Sequence, residues 1–215
     1  MSVRTAAFAA VALGAISAAA PAPAAARSFL NPALWEIGPI INGRNYSVGS
    51  PVRPSPHPRG FAIDIPTRGH VNYVTFRHGS LAGKSRIILR YRLEAAPGVQ
   101  IFPRTLPGAP SILSLYFQRG GDTWSSRGPY ESYRWYSTFR VHSPIVPGEH
   151  VLTAGLNENW TAVQTSSART NPAGFRQAVV EADRVGFVLG GGEGYGKGVF
   201  ATGPARLIVT DFRVE

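Results

Sequence analysis

The sequence predicts an all-β domain, a sandwich of two antiparallel sheets carrying one short helix. Three observations predict it. Apolar residues recur at every second position in short runs; turn residues bound those runs, supplied by 24 Gly and 18 Pro; and one segment alone shows helical spacing.

The clearest strand covers residues 86–94. Ile87, Leu89, Tyr91 and Leu93 fall on one face and Arg90, Arg92 and Glu94 on the other, because strand side chains alternate with period two. Ala95-Ala96-Pro97-Gly98 ends it as a turn. The same pattern predicts strands at 61–65, 70–76, 112–119, 134–141, 150–154, 185–189 and 206–214. In the last of these, Ile208, Phe212 and Val214 share one face while Leu207, Val209, Asp211 and Arg213 share the other, so the alternation leaves the buried side open. The helix spans 172–184, with Asn171 as N-cap, Pro172 at the first position and Phe175, Ala178, Val179 and Ala182 at helical spacing. Residues 50–60 hold Pro51, Pro54, Pro56 and Pro58, which excludes helix and central strand and predicts a long surface loop.

The N-terminus reads as an address rather than as fold. Arg4 precedes an Ala-rich run up to Ala20, and Ala24-Ala25-Ala26 offers the small side chains a signal peptidase admits. Residues 1–26 are therefore expected to be a cleaved signal peptide, residues 27–215 to form one domain, and no later stretch to span a membrane. The chain has no Cys, which at this size points to bacterial export, periplasmic or extracellular, more than to a disulfide-stapled module.

Charge narrows the partners. There are 22 Lys plus Arg against 12 Asp plus Glu, and 20 of the basic residues are Arg, scattered without a run. That favours anionic partners such as acidic polysaccharide through a diffuse field, while the lack of a basic run or motif argues against nucleic acid.

The densest constellation runs over 122–141, where Trp124, Arg127, Tyr130, Glu131, Tyr133, Arg134, Trp135 and Tyr136 interleave. Sugar rings present apolar faces edged by hydroxyls, so aromatic side chains with Arg, Glu and Asn between them make a glycan cleft. Trp135, Phe139 and Val141 share the parity of an inner strand face and read as core, whereas Trp124 sits in a polar, loop-like run. Asn157, Glu158, Asn159 and Trp160 form a second aromatic–polar loop. The candidate binding residues are thus Trp124, Arg127, Tyr130, Glu131, Tyr133, Asn157, Asn159 and Trp160, on the expectation that the two loops flank one cleft. The Gly-rich segment 190–198 lacks the Lys-Ser/Thr of a phosphate loop and reads as a strand connection, with Tyr195 and Lys197 outward.

Catalytic patterns are sparse. No Gly-x-Ser-x-Gly occurs, and the histidines at 57, 70, 78, 142 and 150 lack metal-ligand spacing. Glycoside hydrolysis needs two neighbouring carboxylates, for which Asp64, Glu131, Glu158 and Glu193 are the candidates. A polysaccharide lyase would draw on His70, Arg127, Tyr130 and Tyr133 as base and carboxylate neutraliser.

By strand number, by the closing run 205–214 and by the Gly-rich loop before it, residues 34–214 resemble galactose-binding-like jelly rolls and carbohydrate-binding modules. The resemblance implies non-catalytic recognition of an envelope or environmental polysaccharide, and allows a structural calcium ion. Two other readings stand beside it: a structural or interaction protein of the cell envelope, and a small lyase or hydrolase on the same scaffold.

Overall fold

The computed structural model describes residues 28–137, 141–164, 166–192 and 196–215. The expected signal peptide, together with Phe139, Glu193 and Tyr195, lies outside the described residues. In chain order the strands are β1 (Trp35–Gly38), β2 (Ile40–Ile41), β3 (Arg44–Asn45), β4 (Ser55–His57), β5 (Gly60–Asp64), β6 (Tyr73–Arg77), β7 (Arg86–Ala95) and β8 (Ile101–Pro103). They continue as β9 (Ile112–Arg119), β10 (Arg134–Tyr136), β11 (His142–Pro144), β12 (Gly148–Gly155), β13 (Thr161–Ala162), β14 (Ala182–Gly190), β15 (Val199–Ala201) and β16 (Ala205–Val214), with one α-helix, α1 (Pro172–Val180), between β13 and β14.

Two antiparallel sheets carry the fold. One has the order β1-β6-β14-β9-β10-β13, with β11 also on β9, and the other the order β12-β7-β16-β5-β4. This is the all-β sandwich the alternation predicts. The inner faces meet around Trp35, whose ring lies 4.6–5.9 Å from Phe76 and Phe187 of its own sheet and from Phe61 and Phe212 of the opposite one. Tilted and edge-on pairs of this kind add about 0.5–1.5 kcal/mol each beyond the area they bury. The indole N–H is satisfied as well, donating to the Phe29 carbonyl at 2.9 Å.

The ambiguity of the final strand resolves through a bulge. The register of β16 on β7 shifts between Val209 and Asp211. Leu207 and Val209 therefore face the core before the bulge, and Phe212 and Val214 face it after. An extra residue in one strand reverses the parity of everything beyond it, so a strict two-residue period had no single answer here.

Two other expectations need correction. The helix ends at Val180, capped by Glu181, and Ala182 begins β14 instead of continuing the apolar stripe. Its start is as read, with Asn171 Oδ1 accepting the Gly174 N–H at 3.0 Å and Pro172 in the first turn. The Pro-rich loop contains β4, which pairs only with β5 at the sheet edge, where a proline costs no ladder hydrogen bond. Trp135 is core as its parity indicated: its ring meets Phe175 of α1 at 5.0 Å and its N–H donates to Ser132 O. No helix among the described residues is long and apolar enough to cross a membrane.

Candidate functional site

The seven-stranded sheet turns its apolar side chains inward, and what remains on its outer face is polar, aromatic and yet largely covered. The register aligns three rows there. Tyr73, Val188, Ser114 and His142 form one row. Glu36, Thr75, Gly186, Tyr116, Tyr136 and Thr161 form the second. Arg77, Arg184, Gln118 and Arg134 form the third. An ordinary solvent face would carry exposed Lys, Glu and Thr. Here Tyr73, Tyr116, Tyr136, Thr75, Gln118 and Arg134 are all buried.

These groups form one network. The hydroxyls of Tyr73 and Tyr136 lie 2.6 Å apart, and Tyr116 donates to Gln118 Oε1 at 3.0 Å. Gln118 Nε2 in turn donates to Asp122 Oδ2 at 3.1 Å. The same carboxylate oxygen lies 2.9 Å from Arg134 Nε, a close ion pair but out of line for a hydrogen bond, so charge rather than directionality holds it. The Asp122 side chain is 0% exposed and that of Arg134 7%, so neither charge is compensated by bulk water. On the other flank Arg184 Nη1 lies 3.0 Å from Glu36 and donates to Thr75 Oγ1 at 3.2 Å.

Trp124 closes the network from the loop after β9. Its backbone N–H donates to Asp122 Oδ1 at 2.9 Å, its ring lies under the Arg134 guanidinium at 4.7 Å, and its edge meets Tyr73 at 5.3 Å. Trp124 and Ser126 both adopt left-handed backbone conformations, φ 63° and 55°, which non-glycine residues occupy at a cost. The loop is held in that form by Asp122, by Arg134 donating to Ser126 Oγ, and by Gln164 donating to Ser126 O at 2.9 Å. Between Trp124 and the turn at Ile40 remains a hollow of about 60 Å³, with Glu36, Tyr73, Thr75, Gln118 and Arg184 on its walls. That is room for a few waters or for one hydroxyl-bearing arm of a larger molecule, not for a whole sugar ring.

Burial sets the protonation states. It pushes the phenols of Tyr116 and Tyr136 well above the ordinary tyrosine value and that of Tyr73 up as well, despite the hydrogen bond between Tyr73 and Tyr136. All three act as neutral hydroxyls at physiological pH. Burial also pushes the Asp122 carboxyl up, while Arg134 and the N–H donors of Trp124 and Gln118 pull it part of the way back; Arg134 and Asp122 stand as an ion pair at 2.9 Å. Two polar atoms beside the network are buried without a hydrogen-bond partner among the described residues: Ser114 Oγ, in the first row, and Asn72 Oδ1, packed beside Gly196 with Val188 and Tyr73. Orphans of this kind mark a place where water or a ligand completes the bonding.

Of the residues expected to bind, only Trp124 reaches this cleft. Arg127 and Glu131 are exposed on the loop beyond it. Tyr130 and Tyr133 pair with one another at 4.9 Å, and Tyr133 lies under Arg119 at 4.4 Å, away from the hollow. Asn157 lines a different concavity, and Asn159 Oδ1 is used by the Arg169 N–H. Trp160 is corrected outright: it is 0% exposed, packed on Phe117 at 5.0 Å with its N–H on Gly155 O, so it is core and offers no face to a sugar. The two loops do not flank one cleft. Tyr73, Thr75, Tyr116 and Gln118 were missed, although the signal was present at every second position of the predicted strands, opposite the apolar face; Tyr136 stood in the 122–141 constellation without being taken as a binding residue, and Glu36 lies outside every predicted strand, so no local signal pointed to it.

A larger concavity, about 770 Å³, lies instead between α1 and the loop before β7, walled by Leu81, Leu156, Phe175 and Val179. It has volume but no convergent buried polar groups, so the smaller hollow is the better candidate for recognition. Among the described residues, the nearest approach to a nucleophile–base pair is Ser143 Oγ and His150 Nδ1 at 3.5 Å, where Tyr91 donates into the serine oxygen at 2.7 Å and stacks on the imidazole at 4.8 Å. That serine is buried and already engaged. For the calcium ion that the resemblance allows, no group of three or more acidic or imidazole side chains comes together among the described residues. In comparisons with known proteins the chain matches no family model, and a search of curated proteins returns no match.

Proposed function

We propose that this chain is an exported, non-catalytic carbohydrate-binding protein whose sugar sits on the outer face of the seven-stranded sheet. The observation that carries the reading is the covered hydroxyl–amide–guanidinium network of Tyr73, Tyr116, Gln118, Arg134 and Tyr136 beneath the half-exposed Trp124. In this reading the ring of a terminal sugar packs on the indole, and a hydroxyl or hydroxymethyl arm enters the hollow to meet Thr75, Gln118 and the tyrosine hydroxyls. Glycan binding of this kind agrees with the jelly-roll resemblance and with an N-terminus that reads as an export signal.

The chemistry favours binding over turnover. A lyase base drawn from these tyrosines would have to be a phenolate, and burial holds all three protonated. A hydrolase needs one carboxyl poised to give up a proton, whereas Glu36 and Asp122 are each in an ion pair with an arginine.

The test is an array of neutral and acidic glycans probed at about 0.15 M salt, where diffuse charge attraction is largely screened. Selective binding that is lost on Trp124→Ala supports the reading. Binding only to every anion at low salt, or none, sinks it in favour of a structural or interaction protein of the envelope, and release of reducing or unsaturated ends would return the lyase or hydrolase.

A further inference from the structure

We propose that the ligand of this cleft is electrically neutral, an uncharged sugar rather than a uronate or sulfated one, even though the chain as a whole is strongly basic. The inference rests on the glycan reading above and adds the ligand's charge to it.

The cleft's two arginines are already answered. Arg184 meets Glu36 through both terminal nitrogens, at 3.0 and 3.4 Å, and Arg134 meets Asp122 at 2.9 Å. Each cation has its own carboxylate, so the pairs contribute no net charge to the hollow. An anionic sugar would bring an unpaired charge into a hollow whose one lining cation, Arg184, already has its carboxylate, and a charge taken out of water without a partner is strongly disfavoured. To bind Arg184 a uronate would have to displace Glu36, leaving that carboxylate half-buried and without its cation.

What the walls offer instead is neutral. Thr75 and Tyr73 present hydroxyls, Gln118 an amide, and Ser114 Oγ and Asn72 Oδ1 stand buried nearby without partners among the described residues. This set of donors and acceptors suits sugar hydroxyls. The basic excess of the chain lies elsewhere: Arg68, Arg104 and Arg176 are exposed, do not line the hollow and pair with no carboxylate among the described residues. On the outer face of the five-stranded sheet, the arginines are laddered with acids as in the cleft, Arg59 and Arg92 on Glu149, Arg206 on Asp64, and Arg90 and Arg213 on Asp211. The long-range positive field and the local chemistry of the cleft therefore point to different ligands.

Matched sugars separate them. The full chain is titrated with gluco-, galacto- and manno-oligosaccharides and with the uronate counterpart of each, which differs only by a carboxylate in place of the hydroxymethyl group. The change in tryptophan fluorescence is followed at low and high salt, and only binding abolished by Trp124→Ala counts as cleft binding. The expected result is that a neutral member binds with little salt dependence and its uronate binds at least about tenfold more weakly, a difference of about 1.4 kcal/mol. Glu36→Gln, which frees Arg184, is expected to raise affinity for the uronate of that same pair. A uronate that binds the unaltered cleft more tightly than its neutral partner, with affinity falling as salt rises, overturns the neutral-ligand inference and leaves the glycan reading standing. Failure of all six sugars to bind in the cleft overturns both.

Discussion

Raising the pH above the ordinary tyrosine range should unfold this protein through its buried phenols. Tyr73, Tyr91, Tyr116 and Tyr136 all have phenols pushed up by burial, Tyr91 to about 12. All four are at most 6% exposed. A phenol whose value is raised on folding contributes stability that is complete below the unfolded-state value near 10 and is lost as pH rises towards the folded-state value. For Tyr91 the window is pH 10 to about 12, and the loss across it is about 2.7 kcal/mol, the opposing effect of its hydrogen bond to Ser143 being already contained in that window. While all four stay protonated in the folded state, stability falls by about 5 kcal/mol per pH unit above 10, against a typical total of about 5–15 kcal/mol. Urea unfolding midpoints at a series of pH values, with phenolate absorbance followed in parallel, measure both quantities. Stability should hold up to about pH 10 and then collapse within roughly one to three units, with the share of phenolate due to these four of the eight tyrosines appearing together with unfolding. A folded protein whose phenols all ionise smoothly near 10 would falsify the account of the network as a protonated cluster.

Other outcomes follow from the same geometry. Trp35, Trp135 and Trp160 are fully buried, so acrylamide should quench Trp124 selectively, and Trp124→Phe should remove most of the quenchable emission. Trp160→Ala should cost about 3–5 kcal/mol in urea unfolding through the cavity it leaves, and a loss below about 1 kcal/mol would argue against its place in the core. Asp122→Ala should cost about 3–5 kcal/mol, because it strands the buried Arg134 charge and removes the acceptor for Trp124 N and Gln118; an unchanged midpoint would show that the pair is not formed. Gly186→Ala should destabilise by about 3 kcal/mol or leave the protein insoluble, since a Cβ there would stand 2.1 Å from the Val74 carbonyl oxygen; soluble protein of unaltered stability would contradict the strand spacing.

Local patterning was enough for the class of fold, for the helix and for eight of the sixteen strands among the described residues. Period-two alternation with turn residues located the eight predicted strands, the one at 134–141 only over Arg134–Tyr136 among the described residues, because an apolar side chain at every second position marks a face turned to the core. It also placed Trp135 in the core and capped α1 with Asn171, both decided by neighbours within a few residues. Its failures have a common cause in chain separation. The bulge in β16 and the early end of α1 were settled by pairing with β7 and by Ala182 joining a sheet, neither of which leaves a mark in the local pattern.

The tertiary structure alone decided the cleft. Trp124 and Trp160 sit in equally polar stretches, yet one covers the outer face and the other fills the core. Glu36 and Arg184 are 148 positions apart, and Tyr73 and Tyr136 are 63 apart, so their union depends on which strands neighbour β6 and β14. Net charge is additive along a chain and can be read from composition, whereas the neutralisation of a particular arginine requires its carboxylate within a few ångströms. Only folding supplies that.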